Sequence, residues 1–301
     1  MHTIKDISQG VVNGDFLLLA KSISWIENRE LGADEFLESL QPFSVPIIGI
    51  TGPPGAGKST IISCLIEHWV KEGKRVAILS VDPSSPFHKG AILGDRIRMK
   101  DWYMNPNVFI RSLATRGHLG GLMNGMIELT TLLQSVGFDI ILIETVGVGQ
   151  SEVEIAGLAD TTVVVLVPEA GDEVQMMKSG LMEIAQVFVV NKSDRPDAEA
   201  FTNHLLHMMR EGLGEQHTIP VIKTIASQQL GIDELVAAIA AQQSNGLSTK
   251  RKKQLLISKL YQIIAAHQMR SLNGPMIEAE LATAMQQKHF NIFTFSRKYY
   301  K

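Results

Sequence analysis

The chain has 301 residues, 45% of them hydrophobic and 20% charged, with a formal net charge of −3 at pH 7. That length suits one large α/β domain with extra helices at its ends. The near-balanced charge excludes a generally basic nucleic-acid binder or a polybasic membrane-surface protein, and the single cysteine, Cys64, excludes an internal disulfide and fits a reducing compartment.

Residues 16–20 are apolar, but Lys21 follows at once and Glu27, Arg29 and Glu30 come soon after. That is too short and too charged for a signal-peptide core, and no later run reaches the length of a membrane span, so a cytoplasmic protein with no membrane partner is expected. Residues 15–40 read as helical, with apolar positions at Leu18, Ile23, Ile26 and Leu37, and Gln41, Pro42 and Pro46 mark a linker. Short apolar runs then alternate with helical patterns at 47–50, 75–81, 107–110, 138–143, 161–167, 187–190 and 220–224. Several are almost continuously β-branched, as strands buried on both faces of a parallel sheet are. The alternation predicts a doubly wound, mostly parallel α/β fold whose last helix covers 231–243. A Ser/Gly break at 244–248 leads into Lys250-Arg251-Lys252-Lys253, an amphipathic stretch at 255–267, the turn Asn273-Gly274-Pro275 and a helical pattern at 276–288. The basic run reads as a solvated helix start rather than a binding patch. The expected organisation is a helical extension over 1–42, a P-loop domain over 43–246 and a helical arm over 247–301.

Gly52-Pro53-Pro54-Gly55-Ala56-Gly57-Lys58-Ser59 fits G-x-x-x-x-G-K-[ST] at every fixed position, with a strand pattern before it and a helical pattern, 59–71, after it. Glycines let the backbone curl so that its N–H groups converge on phosphates, and the helix N-terminus adds partial positive charge. Gly52, Pro54, Gly55, Ala56, Gly57, Lys58, Ser59 and Thr60 are therefore assigned to the nucleotide. Lys58 would reach the β- and γ-phosphates, and the Ser59 hydroxyl would ligate Mg²⁺. A glycine-rich turn that merely joins strand to helix is the plain alternative.

Asn191-Lys192-Ser193-Asp194 follows the 187–190 run and fits the N-K-x-D pattern of GTPases. A carboxylate at Asp194 can accept from guanine N1–H and the exocyclic amine. Adenine lacks the N1 donor and would leave this charge, expected to be buried, unpaired. At roughly 1.5–3 kcal/mol per charge-assisted bond, two bonds favour guanine about a hundredfold or more. Lys192 would lie along the base, Asn191 would tie this loop to the P-loop, and a backbone N–H near Ile225, Ala226 and Ser227 would meet guanine O6.

Three acids lie where a metal or γ-phosphate could be met: Asp82 after the 75–81 run, Asp95 in Gly94-Asp95-Arg96, and Glu144 at the start of Glu144-Thr145-Val146-Gly147. Carboxylates at strand C-termini of such sheets can hold Mg²⁺ directly or through its waters; loop capping is the alternative for each. Glu144 departs from the usual D-x-x-G, in which the glycine N–H, here Gly147, senses the γ-phosphate. Val148 stands where a water-positioning glutamine would follow, and Gln150 comes later, so slow intrinsic hydrolysis that a partner accelerates is expected. His118, in a glycine-rich stretch, reads as an exposed loop residue rather than a base.

Val81-Asp82-Pro83-Ser84-Ser85-Pro86, Gly94-Asp95-Arg96-Ile97-Arg98-Met99, Thr115-Arg116-Gly117 with Leu119-Gly120-Gly121, and the run from Glu144 to Glu152 resemble the MeaB/ArgK group. These are GTPase chaperones of cobalamin-dependent acyl-CoA mutases, and the resemblance runs from about residue 10 to 270. It implies a SIMIBI-type G domain, a homodimer using the C-terminal arm, GTP and GDP as substrate and product, and Mg²⁺. It further implies a role in gating adenosylcobalamin loading and in protecting or reactivating methylmalonyl-CoA mutase or a related enzyme. Lys58, Ser59, Asp82, Asp95 and Glu144 match the family's phosphate and Mg²⁺ positions. The segment 171–178 matches its extra switch loop, with Lys178 as a mobile cation near the nucleotide. Two other classes compete. A nickel-insertion GTPase shares the E-x-x-G feature but needs grouped soft or imidazole ligands, whereas Cys64 stands alone. A P-loop kinase would need an acceptor pocket, which nothing in the sequence resembles.

Overall fold

The computed structural model describes residues 7, 10–12, 14–82, 99–114, 125–145, 151–168, 180–213, 219–244, 249–270, 272–286 and 289–300. At its centre lie β1 (Ile47–Thr51), β2 (Val76–Asp82), β3 (Val108–Ala114), β4 (Ile140–Glu144), β5 (Thr161–Leu166), β6 (Val187–Asn191) and β7 (Val221–Thr224). They form one sheet in the order β3-β2-β4-β1-β5-β6-β7. Every pairing is parallel, so the "mostly parallel" expectation is met in full.

Helices cover both faces, so the central strands are buried along their whole length and alternation decides only which side a residue packs on. Ile47, Ala77, Leu79, Ile141 and Ile143 join a core with the N-terminal helices and the helix Met126–Gln134. Their neighbours Ile48, Ile50, Val76, Ile78 and Leu142 join a second core with the helices Lys58–Lys71 and Ile232–Ser244. A third core sets Val164, Phe188 and Val190 against Phe201, Leu205 and Met209 of the helix Ala198–Leu213. Strand order runs outward on both sides of β1 and β4, which puts the topological switch, and the crevice where such sheets bind ligands, at the C-terminal end of β1.

The helical stretch expected over 15–40 is two helices, Phe16–Asn28 and Ala33–Ser39. Arg29 takes a left-handed φ of 52° and returns its N–H to Ile26 and Trp25, closing the first helix without the glycine that usually signals such a cap. Asp15 caps the start by accepting from the Leu17 and Leu18 amides. Leu19, Ile23 and Phe36 are fully buried against the sheet, each worth roughly 1.5–3 kcal/mol of apolar transfer. Arg111 on β3 donates to Glu27 at 2.8 Å and Ser24 at 3.0 Å, fixing the first helix on that face.

The chain separates into two compact units, residues 1–249 and 250–301. The second holds most of the helix Thr249–Arg270, then Gly274–Ala284 and Ile292–Ser296. Asn273 and Asn291 cap its last two helices with their side chains, and Tyr299 donates to Glu280 at 2.8 Å. None of its described residues is buried; Leu256, Leu260 and Tyr261 are among its exposed apolar groups. No described helix is long and apolar enough to cross a membrane.

Candidate nucleotide site

The loop after β1 is shaped by two glycines at positive φ, where any side chain would be strained. Gly52 has a φ of 135°, and a Cβ there would lie 2.0 Å from the Val165 carbonyl oxygen of β5. Gly57, at φ 91°, would place a Cβ 2.3 Å from Asn191 Nδ2. The loop thus closes onto β5 and onto the end of β6 before the helix starts at Lys58.

Lys58 is only 7% exposed and bends back over the loop, its Nζ donating to the carbonyls of Gly52 at 2.7 Å and Pro53 at 3.1 Å. Ser59 Oγ donates to Glu144 Oε1 at 2.8 Å, and Ser80 Oγ to Glu144 Oε2 at 3.4 Å. Strand register explains this meeting, because Glu144 pairs with Ile50 on one side and Ser80 on the other. A second tie joins the same strand ends, Thr145 Oγ1 to Thr51 Oγ1 at 2.9 Å. Asp82 ends β2 two residues beyond Ser80, at the same edge of the sheet. Ser59, Ser80 and Glu144 offer hard oxygen donors at this strand-end crevice, a set that suits Mg²⁺ rather than a soft metal.

Asn191, 3% exposed, closes β6 and joins three segments. Its Nδ2 donates to the Ala56 carbonyl at 2.8 Å, while its Oδ1 accepts from Thr224 Oγ1 at 3.0 Å and from the Ala226 amide at 3.2 Å. Lys192 follows at a left-handed φ of 55° and Arg195 N returns to Lys192 O, which turns the chain beside the P-loop. A cavity of about 270 Å³ results, lined by Gly57 and Thr60, by Asn191, Lys192, Asp194 and Arg195, and by Ile225, Ala226 and Ser227. The structure therefore gathers Lys58, Ser59 and Glu144 at one end of the crevice and the N-K-x-D residues with 225–227 at the other. One expectation needs correcting: Asp194 is exposed, not buried. It stands at the mouth of the cavity, so its desolvation would come only from a docked base.

Two residues that the sequence reading passed over belong here. Arg195 lines the cavity although it stands one position beyond the tetrapeptide. Glu152 is buried in the short helix Ser151–Glu154; burial pushes its carboxyl above the usual range, and the Lys58 ammonium opposes that shift. The sequence offers little signal for the second, because Glu154 stands two residues on and nothing there marks which of the two acids is buried. Asp95, His118, Gly147 and the 171–178 segment with Lys178 lie outside the described residues.

Comparison with known proteins agrees with this geometry. The family described as "Methylmalonyl Co-A mutase-associated GTPase MeaB" matches residues 19–274. A Pyrococcus abyssi chain carrying a provisional GTPase name is 43% identical over 263 residues, 84% of this chain and 81% of its own. The Escherichia coli GTPase ArgK is 35% identical over 249 residues, 79% of this chain and 75% of its own. The mouse methylmalonic aciduria type A homolog, a mitochondrial protein, is 40% identical over 201 residues, 62% of this chain and 48% of its own. Among solved structures, the LAO/AO transport system kinase superposes with a TM-score of 0.70 at 24% identity, covering 99% of this chain and 96% of that one. Helicobacter pylori HypB, solved in complex with nickel, gives 0.50 at 14% identity, covering 77% and 98%. At those identities the two structures speak for the fold alone, a parallel sheet flanked by helices. The sequence match extends over most of the sheet domain and its two glycine-shaped contacts, and the chain belongs to the MeaB family of GTPases.

Proposed function

We propose that this chain is a Mg²⁺-dependent GTPase serving as a partner-controlled switch for a cobalamin-dependent acyl-CoA mutase, methylmalonyl-CoA mutase or a close relative. In that role it gates adenosylcobalamin loading and protects or reactivates the mutase. The observation that carries the nucleotide part is Asn191, whose one side chain holds both the P-loop and the base loop around the cavity that Asp194 borders. The mutase part is supported by the family's own description.

On this reading the phosphates lie along residues 52–60, and Lys58 exchanges the Gly52 and Pro53 carbonyls for β- and γ-phosphate oxygens. Ser59, Asp82, Asp95 and Glu144 would hold Mg²⁺, which supplies positive charge to the phosphate oxygens when bound. Asp194 accepts the two guanine donors, Lys192 flanks the base, and an amide among Ile225, Ala226 and Ser227 meets O6. Gly147 senses the γ-phosphate, and Lys178, within the 171–178 switch segment, couples nucleotide state to the mutase; both roles are carried over from the family resemblance. The helical extension 1–42 supports the GTPase domain 43–246, and the arm 247–301, with exposed Leu256, Leu260 and Tyr261, serves a homodimer. We place the protein in the cytoplasm.

The test is co-purification with methylmalonyl-CoA mutase in GDP and in a non-hydrolysable GTP analogue, alongside GTP turnover with and without Mg²⁺. The proposal expects nucleotide-dependent mutase binding and turnover that stops when Mg²⁺ is chelated. Mutase binding that ignores the nucleotide would end the switch reading, and label transferred to an acceptor in place of free phosphate would favour a kinase.

A further inference from the structure

The helix Lys58–Lys71 does more than begin at the phosphates. Thr60, Cys64 and Glu67 stand at i, i+4 and i+7 along one stripe of it, and all three face the loop after β7. Thr60 lines the cavity. Cys64 Sγ donates to the Ala226 carbonyl at 3.3 Å in a buried contact. One turn on, Glu67 Oε2 accepts from Gln229 Nε2 at 2.7 Å, while Lys71 holds the other carboxylate oxygen at 2.7 Å.

The residue held in this way is at the base end of the cavity. Ala226 is fixed through its N–H by Asn191 and through its C=O by Cys64. The paired bonds between Ile225 and Leu230 and the left-handed Gln229 at φ 58° close the rest of the turn. Ala226 and Ser227 open a short 3-10 helix, where backbone N–H groups lack an intrahelical acceptor. Where those amides point is set by how the Ala226 peptide is held. Burial, with the Glu67 charge adding to it, pushes the Cys64 thiol up and keeps it a protonated donor.

We propose that Cys64, supported by Glu67, is a positioning residue for guanine. It holds the Ala226 carbonyl on the P-loop helix so that the Ser227 amide of the same peptide meets the base at O6. The inference rests on reading the cavity as the guanine site.

The test compares dissociation of GDP with that of 6-thioguanosine diphosphate, which keeps both donors to Asp194 but replaces O6 by a weak acceptor. Cys64→Ala is expected to speed GDP release by about three- to tenfold, the scale of one net hydrogen bond. Release of the thio analogue should change much less, so the two rates draw together. Cys64→Ser, which retains a donor, should restore the difference, and Glu67→Ala should move GDP release in the same direction as Cys64→Ala. Equal acceleration of both nucleotides without rescue by serine would reduce Cys64 to packing and overturn the proposal, as would unchanged GDP release in Cys64→Ala. If the wild-type chain binds no GDP, the guanine reading falls and this inference with it.

Discussion

Replacing Asn191 by alanine separates the architecture of the site from its ligand contacts. The side chain is 3% exposed and makes three bonds, to Ala56 O, Thr224 Oγ1 and Ala226 N, all of them buried. Alanine removes the partner of each. A buried polar group left unpaired costs about 1–3 kcal/mol, and water entering the space recovers part of that, so a net loss of about 3–5 kcal/mol is expected for the three together. For a unit of this size about 2–4 °C is lost per kcal/mol, which puts the fall in melting temperature on the order of 10 °C without added nucleotide. GDP affinity should also drop, because the P-loop and base loop are no longer held together. Asp194→Ala is the control: an exposed residue, it should melt within about 2 °C of wild type, since surface changes lie within about 0.5 kcal/mol, yet lose base binding. Circular-dichroism melting and calorimetric GDP titration of both variants measure the two effects. If Asn191→Ala melts within about 2 °C of wild type, the hub described here does not hold the site together.

Asp194→Asn should lower GTP affinity about a hundredfold, the value of two charge-assisted bonds, and favour xanthosine triphosphate; equal GTP binding by variant and wild type would remove Asp194 from the base contact. Gly52→Ala should cost at least about 2–3 kcal/mol in chemical denaturation, because φ is 135° and a Cβ would meet the Val165 carbonyl at 2.0 Å. Gly55→Ala, also at positive φ but with open space around it, should cost only about 1 kcal/mol, and equal losses at both sites would refute the steric argument. Burial raises the Glu152 carboxyl above its ordinary value, so folding disfavours its charged form: the penalty is complete above the folded-state pKa and vanishes below the unfolded one. Glu152→Gln should therefore melt above wild type at neutral pH and converge with it as the pH falls through the carboxylate range, whereas a gap that widens on acidification would contradict the assignment.

What the sequence made legible was local. The P-loop announces itself because its glycines are demanded by backbone geometry, and Gly52 and Gly57 each meet a fixed obstacle if given a Cβ. The strands showed as β-branched runs because both faces of the sheet are covered. What stayed hidden depends on register between distant segments. Nothing near Ser80 in the chain signals that parallel pairing sets it opposite Glu144, or that Thr51 meets Thr145. Arg195 escaped because cavity lining depends on how the turn after Lys192 closes, and Lys192 adopts its left-handed φ without being glycine. The break between the first two helices had a signal in Gly32, at φ 88° just before the second helix, but the left-handed cap that ends the first falls on Arg29, where no glycine marks it. Burial of Asp194 was misjudged because N-K-x-D describes contacts with a base, and the protein alone leaves that carboxylate to solvent.

The two ends of the crevice differ in what a nucleotide must displace. At the phosphate end Lys58 already has two carbonyl acceptors and Ser59 already donates to Glu144. Phosphate contacts there would be exchanges of neutral carbonyl partners for charged oxygens, each worth the net value of a bond to a charged group, about 1.5–3 kcal/mol, rather than a gross value of about 4–6 kcal/mol. At the base end Asp194 begins exposed to water beside a preformed cavity, where on the proposed reading guanine would dock. On the proposed reading, nucleotide binding therefore rearranges bonds at the phosphate end. That rearrangement has a direction. On the proposed reading, in which Ser59 leaves Glu144 for Mg²⁺, the change would arrive at the end of β4, where Thr145 is tied to Thr51. At the base end the three bonds of Asn191 run to Ala56, Thr224 and Ala226 and none involves Asp194, so engaging that carboxylate does not itself compete for them. A switch needs this division: one end that keeps the nucleotide bound, and another whose bonds differ between GTP and GDP.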